Sequence, residues 1–253
     1  MSGFAHSACP ICGGACDIVA VDGHQRRIAR CRDCAHGFVQ NPPAPGRLRA
    51  EFQGQAYFEQ NYGCQGIASL EDDSQWEAWL RLRFERLDRF LPEAALSSGP
   101  PQRIFEAGCL EGRVLAALAA RGHRVAGCDL NATIVARGRR AFGIDIRTGT
   151  VGECGFPRRA YDVVLGYHLL HYALCPQASL ASWTQLLAPG GHLFLVFPLG
   201  GAEGEDPLRQ QYFSRESLGI LAQTHCRAHR LAVIDNNTPE RPGATLGFLV
   251  GSV

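Results

Sequence analysis

The chain has 253 residues, a formal net charge of +1 and 46% hydrophobic residues. This length allows one large domain, or one domain with a small module, and the hydrophobic content is ample for a packed core. The sequence contains arginine but no lysine, so lysine chemistry is excluded, including that of a phosphate-binding P-loop. The near-neutral charge disfavours a polyanionic partner such as nucleic acid.

Cysteine usage and hydropathy point to a cytoplasmic protein. The 11 cysteines are odd in number and are scattered through apolar segments as well as clustered, which suits a reducing compartment better than a disulfide framework. The N-terminus lacks the basic and apolar pattern of a secretory signal, and no run of 18 or more apolar residues occurs. We therefore expect no membrane partner.

Two cysteine pairs stand near the start of the chain, Cys9-x2-Cys12 and Cys31-x2-Cys34. Four thiolates on two facing turns satisfy the tetrahedral preference of Zn2+ and leave no position for a reacting water. The stretch "DIVAVDGHQRRIAR" between them indicates two short strands around an Asp-Gly turn. We predict a zinc ribbon with a structural Zn2+ over residues 1–46. The alternative is four buried free cysteines that bind nothing.

An aromatic and helical region is expected over residues 47–98. It includes "QAYFEQNYG", with Tyr57 and Tyr62, which either pack on the core or cover a cofactor, where tyrosine faces would favour a cation. Apolar residues then recur at helical spacing over 72–92 and predict a helix. Its four arginines are expected to form a solvated face: Arg81, Arg83, Arg86 and Arg89.

Strand and helix patterns alternate over residues 99–253, which predicts an α/β fold with a mostly parallel sheet. Asn131 and Ser214 are predicted to cap two of the helices, and another helix is expected to end at Pro189-Gly190-Gly191. The last two strands, "RAHRLAVID" and "ATLGFLVGS", predict an antiparallel edge.

A glycine turn, Gly108-Cys109-Leu110-Glu111-Gly112, follows the first of these strands. Ligands of open α/β sheets bind at the carboxyl ends of the strands, so this turn is a candidate cofactor site. Leu110 replaces the glycine that lets a backbone approach phosphate, and Glu111 would repel a pyrophosphate. Asp129, after the next strand, can accept both hydroxyls of a ribose. The pattern favours a cofactor with adenosine and a positive centre but no phosphate.

This constellation resembles the class I S-adenosylmethionine (SAM)-dependent methyltransferases, and within them the subset with an N-terminal zinc ribbon. The resemblance also includes Asn41-Pro42-Pro43, the paired tyrosines, "YDVVLGYHLLHYALCP", "LLAPGGHLFLVFP" and "QYFSRESLGILAQ". It covers roughly residues 9–253 and implies a Rossmann-like core. Methyl transfer from SAM to an O, N or C nucleophile of a small molecule or sugar-linked intermediate is the implied activity.

The resemblance also implies roles for single residues. Glu106, Gly108 and Gly112 would hold the methionine and ribose of SAM, and Asp129 would bind the ribose hydroxyls. The remaining contacts would come from residues after the next strands and from the tyrosines that could cover the cofactor: Leu130 and Val151 at the adenine, Tyr167 and His168 at the sulfonium and acceptor, and Tyr57 and Tyr62. His168 or His171 would serve as a general base where the acceptor must lose a proton.

Three positions depart from the family pattern. Leu110 replaces a glycine beside the methionine moiety, Thr150 stands where many relatives have an aspartate, and Leu170-His171-Tyr172 replaces a frequent Leu-Glu-His. Two alternatives to a small-molecule methyltransferase stay open. One is an RNA methyltransferase that docks RNA with its ribbon, and the other is a SAM-utilising enzyme or SAM-binding protein that does not methylate. The sequence leaves the acceptor and the oligomeric state open.

Overall fold

The computed structural model describes residues 5–54, 57, 73–199, 206–235 and 245–253. Within these ranges the helices are α1 (Pro45–Gln53), α2 (Asp73–Phe90), α3 (Arg113–Ala119), α4 (Ala132–Phe142), α5 (Pro176–Thr184) and α6 (Arg215–His225). The strands are β1 (Cys16–Val21), β2 (Arg27–Cys31), β3 (Gly37–Val39), β4 (Arg103–Ala107), β5 (Arg124–Asp129), β6 (Asp145–Thr148), β7 (Tyr161–Tyr167), β8 (Leu187–Leu199), β9 (Gln211–Tyr212), β10 (Ala228–Asp235) and β11 (Thr245–Ser252).

The strands form two sheets. The larger has the order β10-β11-β8-β7-β4-β5-β6, and the smaller has the order β1-β2-β3-β9. Strands β4, β5 and β6 are parallel neighbours, whereas β11 pairs antiparallel with both β8 and β10. The predicted α/β fold with an antiparallel C-terminal edge is therefore confirmed.

The larger sheet is apolar along its central strands. Ile104 and Phe105 of β4 and the Val163–Leu165 stretch of β7 are fully buried, as is most of the 193–197 stretch of β8. Such continuous apolar runs are typical of strands covered on both faces. The sequence therefore codes for a layered α/β core in which the strand ends, rather than the strand faces, are free to hold polar groups.

Local capping signals fix two of the helices as predicted. The Asn131 side chain accepts a hydrogen bond from the Ile134 amide at the start of α4. Ser214 and Ser217 exchange side-chain and backbone hydrogen bonds in a capping box at the start of α6. Each cap satisfies amides that have no partner within the helix.

One helix ends earlier than its sequence indicates. Helix α5 stops at Thr184, and Pro189-Gly190-Gly191 lies inside β8. The amides of Ala160 and Tyr161 both donate to the carbonyl of Leu186, at 2.9 and 3.0 Å. The chain has therefore already joined the sheet at residue 186, and this pairing ends the helix before the proline is reached.

The chain divides into two compact units. One comprises the described residues within 1–45, 166–185 and 192–253, and the other comprises those within 46–165 and 186–191. The predicted zinc-ribbon strands thus share a unit with β9, β10 and β11. These units are not the segments 1–46, 47–98 and 99–253 expected from the sequence, and that division stays a proposal. None of the described helices is both long and apolar enough to cross a membrane.

Candidate active site

Four cysteines form a compact thiol cluster in the ribbon. Their sulfur atoms all lie within 4.8 Å of one another, and three of the separations, Cys9–Cys34, Cys12–Cys31 and Cys12–Cys34, are 3.7, 3.5 and 3.5 Å. A tetrahedron of thiolates about 2.3 Å from a central Zn2+ has edges of about 3.8 Å. The cluster therefore has the ligands and the size of a structural zinc site, as predicted.

The glycine turn between β4 and α3 has a left-handed backbone. Gly108, Leu110 and Gly112 have φ values of 65°, 53° and 82°. Gly112 is the N-cap of α3, and a Cβ there would lie 2.6 Å from a methyl carbon of Ile144. Gly112 is therefore required by the turn itself, whatever it contributes to a cofactor.

The packing of the Leu110 side chain explains why the turn holds a leucine where a glycine is expected. Its partly buried side chain packs in a cluster with Trp76, Trp79 and Ile134, which come from α2 and α4. A left-handed conformation costs a non-glycine residue about 1–2 kcal/mol. Complete burial of a leucine side chain contributes about 1.5–3 kcal/mol, so the partial burial of Leu110 is of about the same size as that cost. Leu110 thus serves as the attachment point of α2 on the turn.

Glu111 is a buried structural anion. It forms ion pairs with Arg113 of α3 and, at 3.0 Å, with Arg137 of α4. Helix α4 approaches so closely at Gly138 that a Cβ there would overlap the Glu111 carbonyl. The carboxylate is therefore neutralised inside the protein and clamps the turn to two helices.

Two carboxylates stand at the ends of neighbouring parallel strands. Glu106 lies in β4 and Asp129 ends β5. The pKa of Glu106 is raised to about 8, mainly by burial, with Arg83 lowering it and Asp129 raising it. Glu106 Oε2 is buried and accepts no hydrogen bond from the residues that the structure describes. This edge of the sheet therefore offers an unsatisfied acidic group, which a cationic ligand would stabilise.

Asp129 organises the backbone around it. Its Oδ2 accepts from the Leu110 amide and its Oδ1 from the Asn131 amide, both at 2.9 Å. Burial raises the pKa of Asp129, while these amides and that of Leu130 lower it. Each carboxylate oxygen can accept more than one hydrogen bond, so the group can still receive ribose hydroxyls.

Arg83 is not on a solvated face, and the prediction for it was wrong. It is 7% exposed, and its guanidinium stacks on Trp79 at 3.7 Å from the ring centroid. Its charge lowers the pKa of Glu106. The spacing could have revealed this, because position 83 continues the stripe of Trp76, Trp79 and Leu87 along one side of the helix.

Helix α1 lies against the loops that follow β5 and β6. Gln53 donates to the Leu130 carbonyl, and its own carbonyl accepts from the Asn131 side chain, both at 3.3 Å. Arg49 forms an ion pair with Glu153 at 2.6 Å. The Thr150 amide and side chain and Arg49 together lower the pKa of Glu153 to about 2. Sequence reasoning missed this contact, because nothing in α1 marks its distant partners.

The other cofactor residues expected in this region are only partly described. Val151 is 8% exposed in the turn after β6. Tyr57 packs edge-to-face on Phe52 with ring centroids 4.9 Å apart. Tyr62 lies outside the described residues. The roles of all three toward a cofactor remain predictions.

A second group of polar side chains follows β7. Tyr167 ends the strand, His168 has a left-handed φ of 52°, and its amide donates to Val196 at 2.7 Å. His171 lies in a 3-10 turn, 6.3 Å from His168 between ring centroids. Burial lowers the pKa of His171 well below its usual value, and the nearby charges of Arg209 and His168 act in the same direction. His171 is therefore a neutral imidazole at physiological pH.

Sequence reasoning missed the buried polar residues before α6. Arg209, Gln210 and Gln211 are each at most 7% exposed. The Gln210 amide donates to the His171 carbonyl at 2.9 Å, and the Gln211 side chain donates to the Ala173 carbonyl at 2.8 Å. This part of the chain therefore holds the loop that carries both histidines.

Comparison with known proteins identifies the class of this fold. Residues 105–195 match the family model described as a methyltransferase domain. Residues 105–195 thus carry a methyltransferase domain, and the sheet has the fold of the SAM-dependent methyltransferases. The matched domain makes the chain an enzyme of the methyltransferase type, for which SAM is the methyl donor. A search of curated proteins finds no match.

Solved structures show the same fold at low identity. Burkholderia thailandensis 1,6-didemethyltoxoflavin-N1-methyltransferase, bound to its substrate and S-adenosylhomocysteine, is 20% identical with a TM-score of 0.56, covering 94% of this chain and 99% of that one. Haemonchus contortus phosphoethanolamine N-methyltransferase 2 is 12% identical with a TM-score of 0.60, covering 81% and 59%. The cyclase SpnF is 14% identical with a TM-score of 0.51, covering 70% and 82%.

Proposed function

We propose that this enzyme methylates a small-molecule or sugar-linked acceptor at an oxygen, nitrogen or carbon atom. The observation that carries the proposal is the pair of carboxylates, Glu106 and Asp129, beside the left-handed glycine turn. Glu106 has a buried oxygen without a hydrogen-bond partner in the described chain, and SAM brings a cationic sulfonium and an ammonium group. The residues present therefore fit the cofactor.

In this proposal each residue near the turn has a separate task. Glu106 faces the cationic part of the cofactor, Asp129 accepts the ribose hydroxyls, and Gly108 and Gly112 leave room at the turn. Leu130 and Val151 contact the adenine, and Tyr57 and Tyr62 cover the cofactor. When bound, SAM supplies a methyl group that is already activated for in-line transfer, so most of the catalysis is positioning.

On the acceptor side we propose that Tyr167, His168 and His171 orient the nucleophile. His171 Nδ1 is buried and has no hydrogen-bond partner among the described residues, and its imidazole is neutral. A neutral imidazole can accept a hydrogen bond or a proton from an acceptor hydroxyl or ammonium group. A carbon nucleophile or a neutral amine would need only orientation from these side chains.

Two observations favour a small-molecule acceptor over RNA: the substrates of similar enzymes and the paired or buried arginines of the ribbon. The two methyltransferases named above act on a toxoflavin precursor and on phosphorylated ethanolamines, which are small molecules. Within "HQRRIARCR", Arg26 is buried and Arg32 pairs with Asp17, so the ribbon offers fewer free cations than its sequence suggests. This disfavours the RNA alternative, which a strongly salt-dependent RNA affinity would revive.

One experiment separates methyl transfer from the non-methylating alternative. That alternative is considered because the chain is also similar to the cyclase SpnF. The purified protein is incubated with SAM and pools of hydroxylated and amino small molecules, and products are identified by mass spectrometry. We expect a product heavier by one methylene group, together with an equal amount of S-adenosylhomocysteine. A product of unchanged formula without SAM consumption would contradict the proposal.

A further inference from the structure

The ribbon sheet is completed from the far end of the sequence. Strand β3, which follows the second cysteine pair, is antiparallel to β9, with Gly37 opposite Tyr212 and Phe38 opposite Gln211. The Val39 amide also donates to the Gln210 carbonyl at 2.9 Å. We call residues 206–214 the bridging segment. The bridging segment therefore supplies the fourth strand of the ribbon sheet, at the edge beside β3.

Arg26 fixes the first half of the bridging segment. Its buried guanidinium donates to the carbonyls of Asp206, Pro207 and Arg209 at 3.1, 2.6 and 3.0 Å. Asp22, on the turn between β1 and β2, accepts from Arg26 Nε at 2.6 Å and so orients it. Three carbonyls held by one planar cation are a rigid arrangement. The Asp206 side chain also accepts a hydrogen bond from the Tyr172 hydroxyl, at 2.9 Å.

Gln211 connects the ribbon to the histidine loop, residues 168–173. Its Oε1 lies 2.8 Å from His36 Nε2, and its Nε2 donates to the Ala173 carbonyl at 2.8 Å. Both His36 and Gln211 are almost completely buried. A buried amide with both ends satisfied has one orientation only, because turning it would leave two groups unpaired.

The four-cysteine cluster is also linked to the bridging segment. Cys34 is a proposed zinc ligand, and its carbonyl accepts from the Ser214 hydroxyl at 2.7 Å. The Cys31 amide donates to the His36 carbonyl at 2.9 Å, which closes the turn that leads into β3. A structural zinc contributes directly to the folding of the turn that carries its ligands. The order of this turn therefore depends on the metal.

We propose that the zinc ribbon is a positioning module for the acceptor side of the enzyme, with Gln211 and Arg26 as its positioning residues. The path leads from the metal to β3 and His36, through the bridging segment, to the loop with His168 and His171. This inference rests on the proposed role of those histidines. It assigns the ribbon an internal task instead of the docking of an external partner.

Hydrogen exchange of the full chain tests the proposal without knowledge of the acceptor. Amide exchange is followed by mass spectrometry before and after zinc removal with a chelator. Peptides covering 168–173 and 206–214 should exchange about tenfold faster or more, since hydrogen bonds of about 1 kcal/mol each are lost. Peptides covering 103–131, at the cofactor turn, should be unchanged. Unchanged exchange at 168–173 would overturn the proposal, as would an equal increase at 103–131.

A matched pair of variants tests the link itself. Gln211→Glu keeps the shape and the oxygen near His36 but removes the donor to Ala173. Gln177→Glu is the control, because Gln177 also links the ribbon to another element, donating to the Ile11 carbonyl at 2.8 Å and meeting His225 at 2.7 Å, without touching the histidine loop. Only Gln211→Glu should raise exchange at 168–173. Equal effects of the two variants would contradict the proposal.

Calorimetry with S-adenosylhomocysteine separates this inference from the proposed function. Both variants and the zinc-free protein should bind it with an affinity within about twofold of the unchanged protein. The residues proposed for the ribose and methionine lie on other elements, and S-adenosylhomocysteine lacks the sulfonium that Tyr167 and His168 would face. If the unchanged protein does not bind S-adenosylhomocysteine, the proposed function is contradicted, and the response of the histidine loop to zinc still tests the positioning role. Retained binding with no response of the histidine loop to zinc would contradict only the positioning role. If Gln211→Glu fails to fold, the chelation experiment still decides.

Discussion

The backbone amide of Leu110 donates a hydrogen bond of 2.9 Å to Asp129 Oδ2. The residue that replaces the expected glycine in the turn is thus bonded to the carboxylate proposed to hold the ribose. Its side chain is taken up by the tryptophans of α2. The substitution of glycine by leucine therefore changes how the turn is attached to the protein.

Leu110→Gly tests that interpretation. Glycine relieves about 1–2 kcal/mol of left-handed strain and removes part of the roughly 1.5–3 kcal/mol that complete burial of a leucine contributes. We therefore expect the free energy of unfolding, measured by urea denaturation, to change by less than about 1 kcal/mol. The dissociation constant for SAM should change less than threefold. A tenfold gain in SAM affinity would show instead that Leu110 crowds the methionine moiety.

Asp129→Ala should abolish measurable SAM binding. The variant loses the proposed contacts to both ribose hydroxyls and releases the amides of Leu110 and Asn131, which shape the site. Hydrogen bonds to a charged group contribute about 1.5–3 kcal/mol each, so the dissociation constant should rise at least about a hundredfold in calorimetry.

Asp162→Ala is the control for that experiment. Asp162 is also a strand aspartate that holds a neighbouring amide and arginine, both from Arg103, but it lies at the start of β7. We expect it to leave SAM affinity unchanged. Similar losses in the two variants would indicate general destabilisation and would contradict the assignment of the ribose site to Asp129.

SAM binding should release a proton from Glu106. Its pKa is about 8 in the folded protein, so the carboxyl is largely protonated at pH 7, and a cationic ligand favours its ionised form. Affinity should therefore rise with pH up to about 8. Calorimetry at pH 7 in buffers of different ionisation enthalpy measures the number of protons released. Glu106→Gln should abolish the release, and a binding enthalpy independent of the buffer would contradict the prediction.

Glu106 should also make the ligand-free protein less stable at higher pH. Its pKa is raised from 4.5 to about 8, so the folded state keeps a proton that the unfolded state releases within this window. The contribution of Glu106 to the free energy of unfolding is fully present below pH 4.5 and is lost as the pH rises through about 8. Thermal melts from pH 5 to 9 should show a smaller decline for Glu106→Gln. Parallel curves for the two proteins would contradict this.

His171 should destabilise the fold toward acid. Burial, with Arg209 and His168 nearby, lowers the pKa of His171 well below 6.5. Below pH 6.5 the imidazole is therefore protonated in the unfolded chain but stays neutral in the folded state. Stability is therefore lost as pH falls through 6.5. His171→Phe should reduce this loss in denaturation at pH 7 and pH 5. Nitrogen NMR of the imidazole should show a neutral ring at pH 6, and a charged ring there would contradict the prediction.

Local signals made much of this molecule predictable. The caps at Asn131 and Ser214, the cysteine spacing and the alternation of strands and helices are each encoded within a few residues. The positions of Glu106 and Asp129 followed from the rule that parallel strands end at one edge of the sheet. These features depend on nearest neighbours in the chain and on generic topology.

The features that escaped prediction depend on distant partners. Strand β9 has only two residues, so no periodicity marks it, and its partner β3 lies near the opposite end of the chain. The burial of Arg83 is an exception, because the local spacing of α2 already places position 83 on its apolar stripe. The contact of Arg49 with Glu153 likewise joins segments that no short pattern connects.

The pairing of β3 with β9 also sets an order of events during synthesis. The two cysteine pairs leave the ribosome before β9 does, so the metal can be bound while the chain up to residue 211 is still being made. Strand β3, whose three residues are buried in the finished protein, then waits with an unpaired edge until residues 211 and 212 arrive. Contacts so distant in sequence form slowly, and an open apolar edge invites association with other chains. Slow synthesis or truncation before residue 211 should therefore favour aggregation of a ribbon that already holds its zinc.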